Sequence, residues 1–471
     1  AVNLRLISPE LFQLLIVAGL FVQSILQGDR SAPLKKWLPW AAGLGVLVSM
    51  ASLSQNGLMF GQTYQVDRLS QFFKMTVSLG FFLTVINGIG QPLLEEKKRC
   101  DYFLFMALSA WGLLLLCSTV ELISIYLALE LASFSLFPLL PLRRKSLPGA
   151  EAAIKYMFIG GVATVVGLFG FSYILAAQHT TYLNQLVHMS WSWSHGPMAV
   201  LGLTLFFSGL LFKLAFFPFH FWAPDVYEGA GNETAAYIAS LPKVGAVVVL
   251  LRFTPILKPG LEITTILAVL AAVSMTYGNL AALVQKDVKR LLGYSAIAHA
   301  GYLMVGVVAG TSMGVAAAAF YAFAYVLMNF TCFWVICRES KDGRNLKLED
   351  LIGLSRRAPG LALVLAVGAV ALVGLPPTAG FMGKFFLLTA AWNRGCNWLV
   401  VIAALNVAIG LFYYLNLVRY AYGKESPEAP LKMTGAEVSG GVLYLLGGLF
   451  LAGLVIFLGV FPNLLLKMLM L

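Results

Sequence analysis

The chain has 471 residues, 59% of them hydrophobic and only 11% charged, with a formal net charge of +11 and a mean hydropathy of +0.84. Soluble domains carry about 25% charged residues. A chain this apolar takes the bilayer as its solvent, which excludes a soluble enzyme, a nucleic-acid binder and a single-span receptor. Its length holds roughly fourteen spans at about 33 residues per span and connection, leaving no separate extramembrane domain.

Hydropathy predicts spans at 8–26, 38–54, 70–90, 102–118, 119–140, 152–177, 198–222, 233–256, 262–285, 287–310, 312–337, 360–394, 398–422 and 436–461. The first run lacks a convincing small-residue cleavage site and reads as a span rather than a signal peptide. Only a tight turn near Ser118-Thr119 parts the fourth span from the fifth, and the twelfth is too long for one straight helix. An even number of spans puts both termini on one side. With the N-terminus outside, twenty Lys and Arg fall in inner loops, among them Lys35, Lys36, Arg143, Arg144 and Lys145; five fall outside and seven within spans. This bias predicts that both termini face outward, and it explains the net charge without a polyanion. The cysteines Cys100, Cys117, Cys332, Cys337 and Cys396 show no CxxC spacing and read as small apolar residues in helices.

Of the basic residues within spans, Lys74, Lys155, Arg252 and Arg419 lie near span ends, where long side chains are expected to snorkel. Lys213, Lys243 and Lys384 lie in the middle third of their spans, as does Glu130, and His299 is also deep. A charge at the bilayer centre costs about 2.5–3.5 kcal/mol on the insertion scale. Such groups must pair, go neutral or line water, and one glutamate cannot neutralise three lysines. A buried lysine is pulled towards its neutral form by desolvation and towards its charged form by a nearby carboxylate, and a row of groups so balanced is what a proton path requires. His299 is a plausible relay if it lies between Lys243 and Lys384. Glu121, nine residues before Glu130, falls on the opposite helix face and reads as interfacial. His220, Asp225 and Glu228 flank a proline-containing break without ligand spacing, so no metal site is expected.

Two spans carry helix breakers beside a lysine. Pro218 follows Lys213 by five residues; Pro376 and Pro377, then Gly380 and Gly383, precede Lys384. Proline removes a backbone donor and clashes with the preceding turn. Such breaks survive in a membrane only against protein or internal water, which they are expected to admit to the midplane. Pro242 and Gly245 are likewise expected to loosen the helix around Lys243 and leave space for water. The broken spans are five apart, as two inverted five-helix repeats would place them. The predicted organisation is an N-terminal three-helix segment (1–101), a first repeat (102–256), a second, inverted repeat (257–422) and a fourteenth helix (423–471), an all-α polytopic membrane protein.

The stretches KLAFFPFHFWAPDVYEGA at 213–230, LPKVGA at 241–246, QKDVKRLLGYSAIAHAGYLM at 285–304 and GLPPTAGFMGKF at 374–385 resemble the antiporter-like membrane subunits of respiratory complex I. DVYEGA is similar to the ND2-type branch of that family. The resemblance implies proton translocation coupled to quinone reduction, with Glu130, Lys213, Lys243, His299 and Lys384 at the family's proton-transfer positions. It implies no cofactor or metal in this chain: NADH, FMN, iron–sulfur clusters and quinone belong to other subunits. It also implies a multi-pass place in the bacterial inner membrane, between an M-type antiporter-like neighbour and a small K-type subunit. Two rival readings are a sodium/proton antiporter module of the Mrp kind and a structural scaffold with static lysines. AGNETAAY stands where many relatives carry a proline-containing segment, which leaves the conformation of the 229–236 turn open.

Overall fold

The computed structural model describes residues 4–27, 32–91, 94–142, 147–194, 196–257, 261–340, 343–423 and 441–470. Among the loop cations counted above, Arg30, Arg143, Arg144, Lys145, Lys258, Lys341, Lys424 and Lys432 lie outside the described residues.

The chain is almost wholly helical. The N-terminal segment contains α1 (Ser8–Gln27), α2 (Ala32–Ala51) and α3 (Arg68–Gly88). Then come α4 (Arg99–Ser118), α5 (Leu122–Phe134), α6 (Leu147–Gln178), the one-turn α7 (Leu183–Leu186), α8 (Pro197–Leu214), α9 (Trp222–Gly229) and α10 (Asn232–Arg252). The second half has α11 (Glu262–Leu283), α12 (Val288–Ala309), α13 (Ser312–Glu339), the one-turn α14 (Leu354–Arg357), α15 (Pro359–Val373), α16 (Ala379–Asn393) and α17 (Asn397–Tyr422). It closes with α18 (Gly441–Val460) and α19 (Asn463–Met470). Among the described residues, twelve helical segments are long and apolar enough to cross a membrane. The expected break in the seventh span separates α8 from α9, and that in the twelfth separates α15 from α16.

The all-α expectation needs one correction. Residues Gly57–Met59 (β1) and Tyr64–Val66 (β2) form a small antiparallel hairpin between α2 and α3, in the register Gly57↔Val66. It lies beyond the helix ends, where strand pairing satisfies backbone groups that no helix covers.

Contacts between loops sort the helix ends into two sets. At one end, Tyr64 pairs with Thr119, Glu121 pairs with Tyr182, and Arg252 grips Asp67 with two hydrogen bonds of 3.0 and 3.2 Å. Burial alone would raise the Asp67 carboxyl; the Arg252 guanidinium and Ser70 outweigh it and hold Asp67 below its ordinary value. At the other end, Ser24 donates to Asp101, Gln91 donates to the Cys337 carbonyl, and Asp287 pairs with Lys347. There Asp225 accepts from Lys155 at 2.6 Å and Arg290 at 2.7 Å, and Arg290 also reaches Glu228 at 2.8 Å. The three residues flanking the break between α8 and α9 are thus ion-pair members or, for His220, stacked against Phe217.

α10 and α13 are buried along their whole apolar length and α12 nearly so, whereas α6, α17 and α18 present most of theirs outward. Small residues let the core helices touch. A Cβ on Gly112 of α4 would lie 2.6 Å from the Ala132 backbone nitrogen of α5; a Cβ on Gly278 of α11 would lie 2.6 Å from that of Ala298 on α12. Both glycines also face a carbonyl four residues upstream, Ala128 in one case and Tyr294 in the other. The two contacts are one local geometry, repeated 166 positions later along the chain.

Two sequence expectations fail in this packing. Lys74 does not snorkel: it is completely buried and forms an ion pair of 2.7 Å with Glu10. Arg252 is likewise held by Asp67 rather than extended into water. The helix around Lys243 is not loosened either. α10 runs through Pro242 without interruption, and the space beside Gly245 is filled by Leu113 and Leu116 of α4, 2.6 and 3.0 Å from where a Cβ would be.

Candidate functional site

The site begins at the two helix breaks, which share one backbone plan. α8 ends at Leu214, and Ala215 turns left-handed (φ 56°) to cap it; α15 ends at Val373, and Gly374 does the same at φ 87°. A proline follows three residues after each cap, Pro218 and Pro377. The amides of Phe216 and Leu375 turn back to Leu211 and Val370. A helix end leaves its last carbonyls without intrahelical partners and carries a partial negative charge. Within the hydrocarbon these groups must find donors in the protein.

Lysines supply them. Lys243, on α10, donates to the Leu214 carbonyl at 3.0 Å and to the Ala296 carbonyl of α12 at 3.0 Å. Lys384, on α16, donates to Leu372 at 3.0 Å and Val373 at 2.7 Å. Gly380 is needed there, since a Cβ would fall 1.8 Å from the Ala371 carbonyl oxygen. Both ammonium groups also face rings: Lys243 lies 5.7 Å from the Tyr325 ring centroid and Lys384 4.5 Å from that of Tyr302. These lysines are therefore held by backbone carbonyls and aromatic faces rather than by carboxylates.

Between them sits His299. Its Nδ1 is 2.6 Å from the Tyr321 hydroxyl and its Nε2 3.0 Å from the Tyr414 hydroxyl. Tyr414 is hydrogen-bonded in turn to Ser295. The His299 ring lies 5.0 Å from Tyr325, over which Lys243 sits, and 6.1 Å from Tyr302, over which Lys384 sits. The His299 ring thus lies between the two tyrosine rings that Lys243 and Lys384 face.

Glu130 and Lys213 form no direct ion pair with each other. Glu130 accepts from Thr164 at 2.8 Å through Oε1, while Oε2 has no protein partner. Lys213 instead lies 5.5 Å from the Tyr156 ring centroid and 4.9 Å from that of Phe212. Two small cavities adjoin them. One of about 10 Å³ is lined by Lys213, Ser133 and Pro242; the other, of about 20 Å³, is lined by Glu130, Thr164 and Tyr126. Each has room for roughly one water molecule. Lys213 directly precedes Leu214, whose carbonyl Lys243 binds.

Several members of this site escape a sequence reading. Tyr156, Tyr302, Tyr321, Tyr325 and Tyr414 read as ordinary aromatic residues of apolar helices, and Thr164 as an ordinary small one. Glu130 is also not the sole buried carboxylate. Glu233, in the first turn of α10, is 6% exposed, and Lys289, a further fully buried lysine, donates to the Ala230 carbonyl at 2.7 Å. The AGNETAAY segment that holds Glu233 is a plain helix start, with Gly231 preceding α10.

The sequence profile of the family described as "NADH:quinone oxidoreductase/Mrp antiporter, TM" matches residues 119–410. A protein of Solidesulfovibrio magneticus called NADH-quinone oxidoreductase subunit N 2 is 55% identical over 455 residues, covering 96% of this chain and 95% of its own. One of the same name in Opitutus terrae is 45% identical, covering 90% and 89%. Among solved structures, a chain of respiratory complex I from Thermus thermophilus with bound aureothin superposes with a TM-score of 0.84 at 31% identity, covering 98% of each chain. A chain of the Mrp complex from Dietzia sp. superposes with a TM-score of 0.87 at 18% identity, covering 100% of this chain and 97% of that one; this is a likeness of fold. The chain belongs to the family of antiporter-like membrane subunits of NADH:quinone oxidoreductase, on its subunit N branch.

Proposed function

We propose that this chain moves protons across the bacterial inner membrane as part of a proton-translocating NADH:quinone oxidoreductase, through the row Glu130, Lys213, Lys243, His299 and Lys384. The observation that carries this reading is the arrangement of Lys243 and Lys384 on the carbonyls of two broken helices, with His299 hydrogen-bonded between them. An ammonium bound to carbonyl oxygens is stabilised without a fixed counter-ion, so its charge responds to the arrival or departure of a charge next to it. Tyr321 and Tyr414 are hydroxyl links that both donate and accept, and His299 can pass a proton from one ring nitrogen to the other. Glu130, tethered by Thr164 rather than by Lys213, is free to draw closer to the lysine when a neighbouring subunit changes state.

The same reading takes the chain as fourteen spans, with α8–α9 and α15–α16 each counted as one broken span and both termini on the outer side. The matched glycine contacts of Gly112 and Gly278, and the matched caps at Ala215 and Gly374, favour two inverted repeats over 102–256 and 257–422. An M-type subunit and a K-type subunit are its neighbours, and NADH, FMN, iron–sulfur clusters and quinone are bound elsewhere in the complex. The high identity to proteins named subunit N favours this over an Mrp-type sodium/proton antiporter, for which the likeness is one of fold.

The test is the ratio of protons moved to electrons transferred by the intact complex reconstituted in vesicles. With Glu130→Gln the ratio should fall and quinone reduction should slow while the complex assembles. An unchanged ratio in an assembled Glu130→Gln complex overturns the proposal.

A further inference from the structure

α17 turns most of its surface outward, yet it supplies two groups to the row. One narrow stripe of the helix is covered: Ala403, Asn406, Gly410, Tyr413, Tyr414 and Leu417 are buried, at the three- and four-residue spacing of a single face. Opposite it, Val401, Leu405 and Phe412 are more than half exposed. Lipid solvates such apolar surface as readily as protein does, so apolar area does not decide how α17 seats. Hydrogen bonds between helices do.

Two asparagines supply them. Asn279 of α11 is 2% exposed and Asn406 of α17 is 3% exposed. Asn279 Nδ2 donates to the Asn406 backbone carbonyl and to Asn406 Oδ1, both at 3.1 Å. Asn406 Nδ2 donates in turn to Thr276 Oγ1 of α11 and to the Ile402 carbonyl, both at 3.0 Å. Asn279 Oδ1 accepts from the Tyr413 hydroxyl at 2.9 Å. Every polar atom of both side chains thus has a partner. Sliding α17 by one residue would strip these amides of their partners inside hydrocarbon, where each lost hydrogen bond is costly.

The same register serves the row twice. Tyr414, next to Tyr413, brings its hydroxyl to 3.0 Å from His299 Nε2. Ala403, three residues before Asn406, accepts from the Tyr302 hydroxyl at 3.2 Å, and the Lys384 ammonium lies 4.5 Å from the centroid of that tyrosine ring. We infer that Asn279 and Asn406 are positioning residues for proton transfer: their amide pair fixes the register of α17 at which Tyr414 meets His299 and Tyr302 is held against Lys384. This rests on the row proposed above.

The test measures protons moved per electron, and the thermal midpoint, for the intact complex in sealed vesicles. Asn279→Leu removes donor and acceptor together and should lower coupled proton transfer roughly threefold, the weight of one interhelical hydrogen bond in a membrane. Gln13→Leu is the control for an amide with a structural role alone. Gln13 of α1 is 4% exposed and donates to the Ala107 carbonyl of α4 at 3.2 Å, and α1 packs on α2 and α4. Its loss should lower the thermal midpoint and leave proton transfer unchanged. Asn406→Thr and Asn406→Val share one shape, and only the threonine hydroxyl can accept from Asn279 Nδ2. The threonine variant should keep proton transfer and the valine variant should lose it. Lys384→Ala, measured alongside, separates this inference from the reading beneath it. Loss with Lys384→Ala but none with Asn279→Leu would overturn the amide pair alone. So would equal transfer by the threonine and valine variants, or the same loss with Gln13→Leu. Unchanged transfer in an assembled Lys384→Ala complex would overturn the row, and the positioning role with it.

Discussion

At the scale of single residues, the buried charges are resolved in three ways. Glu10–Lys74 and Asp67–Arg252 are closed ion pairs. Lys243 and Lys384 rest on backbone carbonyls. Glu130 and Lys213 form no ion pair with each other: the carboxylate accepts from Thr164 with Oε2 left without a partner, and the ammonium lies over aromatic rings. The first kind is structural and should show itself in stability. Asp67 has its carboxyl held below the ordinary value, so its contribution is fully present above the unfolded carboxylate range and is lost as pH falls through the lowered folded value. Asp67→Asn keeps the helix cap but leaves Arg252, 7% exposed at its side chain, without its counter-ion. We expect a loss of about 1–3 kcal/mol at neutral pH, read as a lower thermal midpoint of the complex. The difference from the unsubstituted complex should shrink as the pH is lowered below the ordinary carboxylate range. A difference independent of pH would contradict the assignment. Sequence reading found the deep lysines because charge in an apolar run is conspicuous. It missed Glu10 as the partner of Lys74 because the two are 64 positions apart and each lies near a span end, where snorkelling is the ordinary outcome.

At the scale of elements, the breaks and the close helix crossings set the geometry. Pro218 and Pro376-Pro377 were legible as breakers because proline acts locally. That the freed carbonyls would be taken by Lys243 from a different helix was not, since it depends on how α10 packs against α8. Pro242 misled in the other direction. It is accommodated within a continuous α10 whose neighbours are packed hard against Gly245. Gly278 is a test of the crossing that positions His299, which follows Ala298 directly. Gly278→Ala would place a Cβ against the Ala298 backbone nitrogen and should cost about 1–3 kcal/mol by overpacking, lowering both the thermal midpoint and the proton-to-electron ratio. Gly161→Ala, on α6 with open space around it, is the matched control and should leave both within error. Equal behaviour of the two variants would show that the α11–α12 crossing does not position the histidine.

At the scale of the whole molecule, the helical class could be read from hydropathy, because lipid imposes a long apolar helix on every crossing; among the described residues, twelve of the fourteen expected spans answer to helices long and apolar enough to cross, and those expected at 38–54 and 360–394 do not. The hairpin could not, being too short for its alternation to stand out. The five polar members of the proposed row were legible one by one, and His299 was expected between Lys243 and Lys384. The tyrosine rings that His299, Lys243 and Lys384 face were not, because they look like plain apolar residues in sequence. The account's central claim is that this row works in series, so that a break at any ionisable member stops transfer. The most direct measurement is the proton-to-electron ratio of the intact complex in sealed vesicles for Lys213→Ala, Lys243→Ala and Lys384→Ala, each checked for assembly, with His299→Ala alongside. The series account predicts the same loss for all three lysine variants and a smaller one for His299→Ala, where water can bridge between the tyrosines. Normal pumping by an assembled Lys243→Ala complex, beside failure of Lys213→Ala, would contradict it.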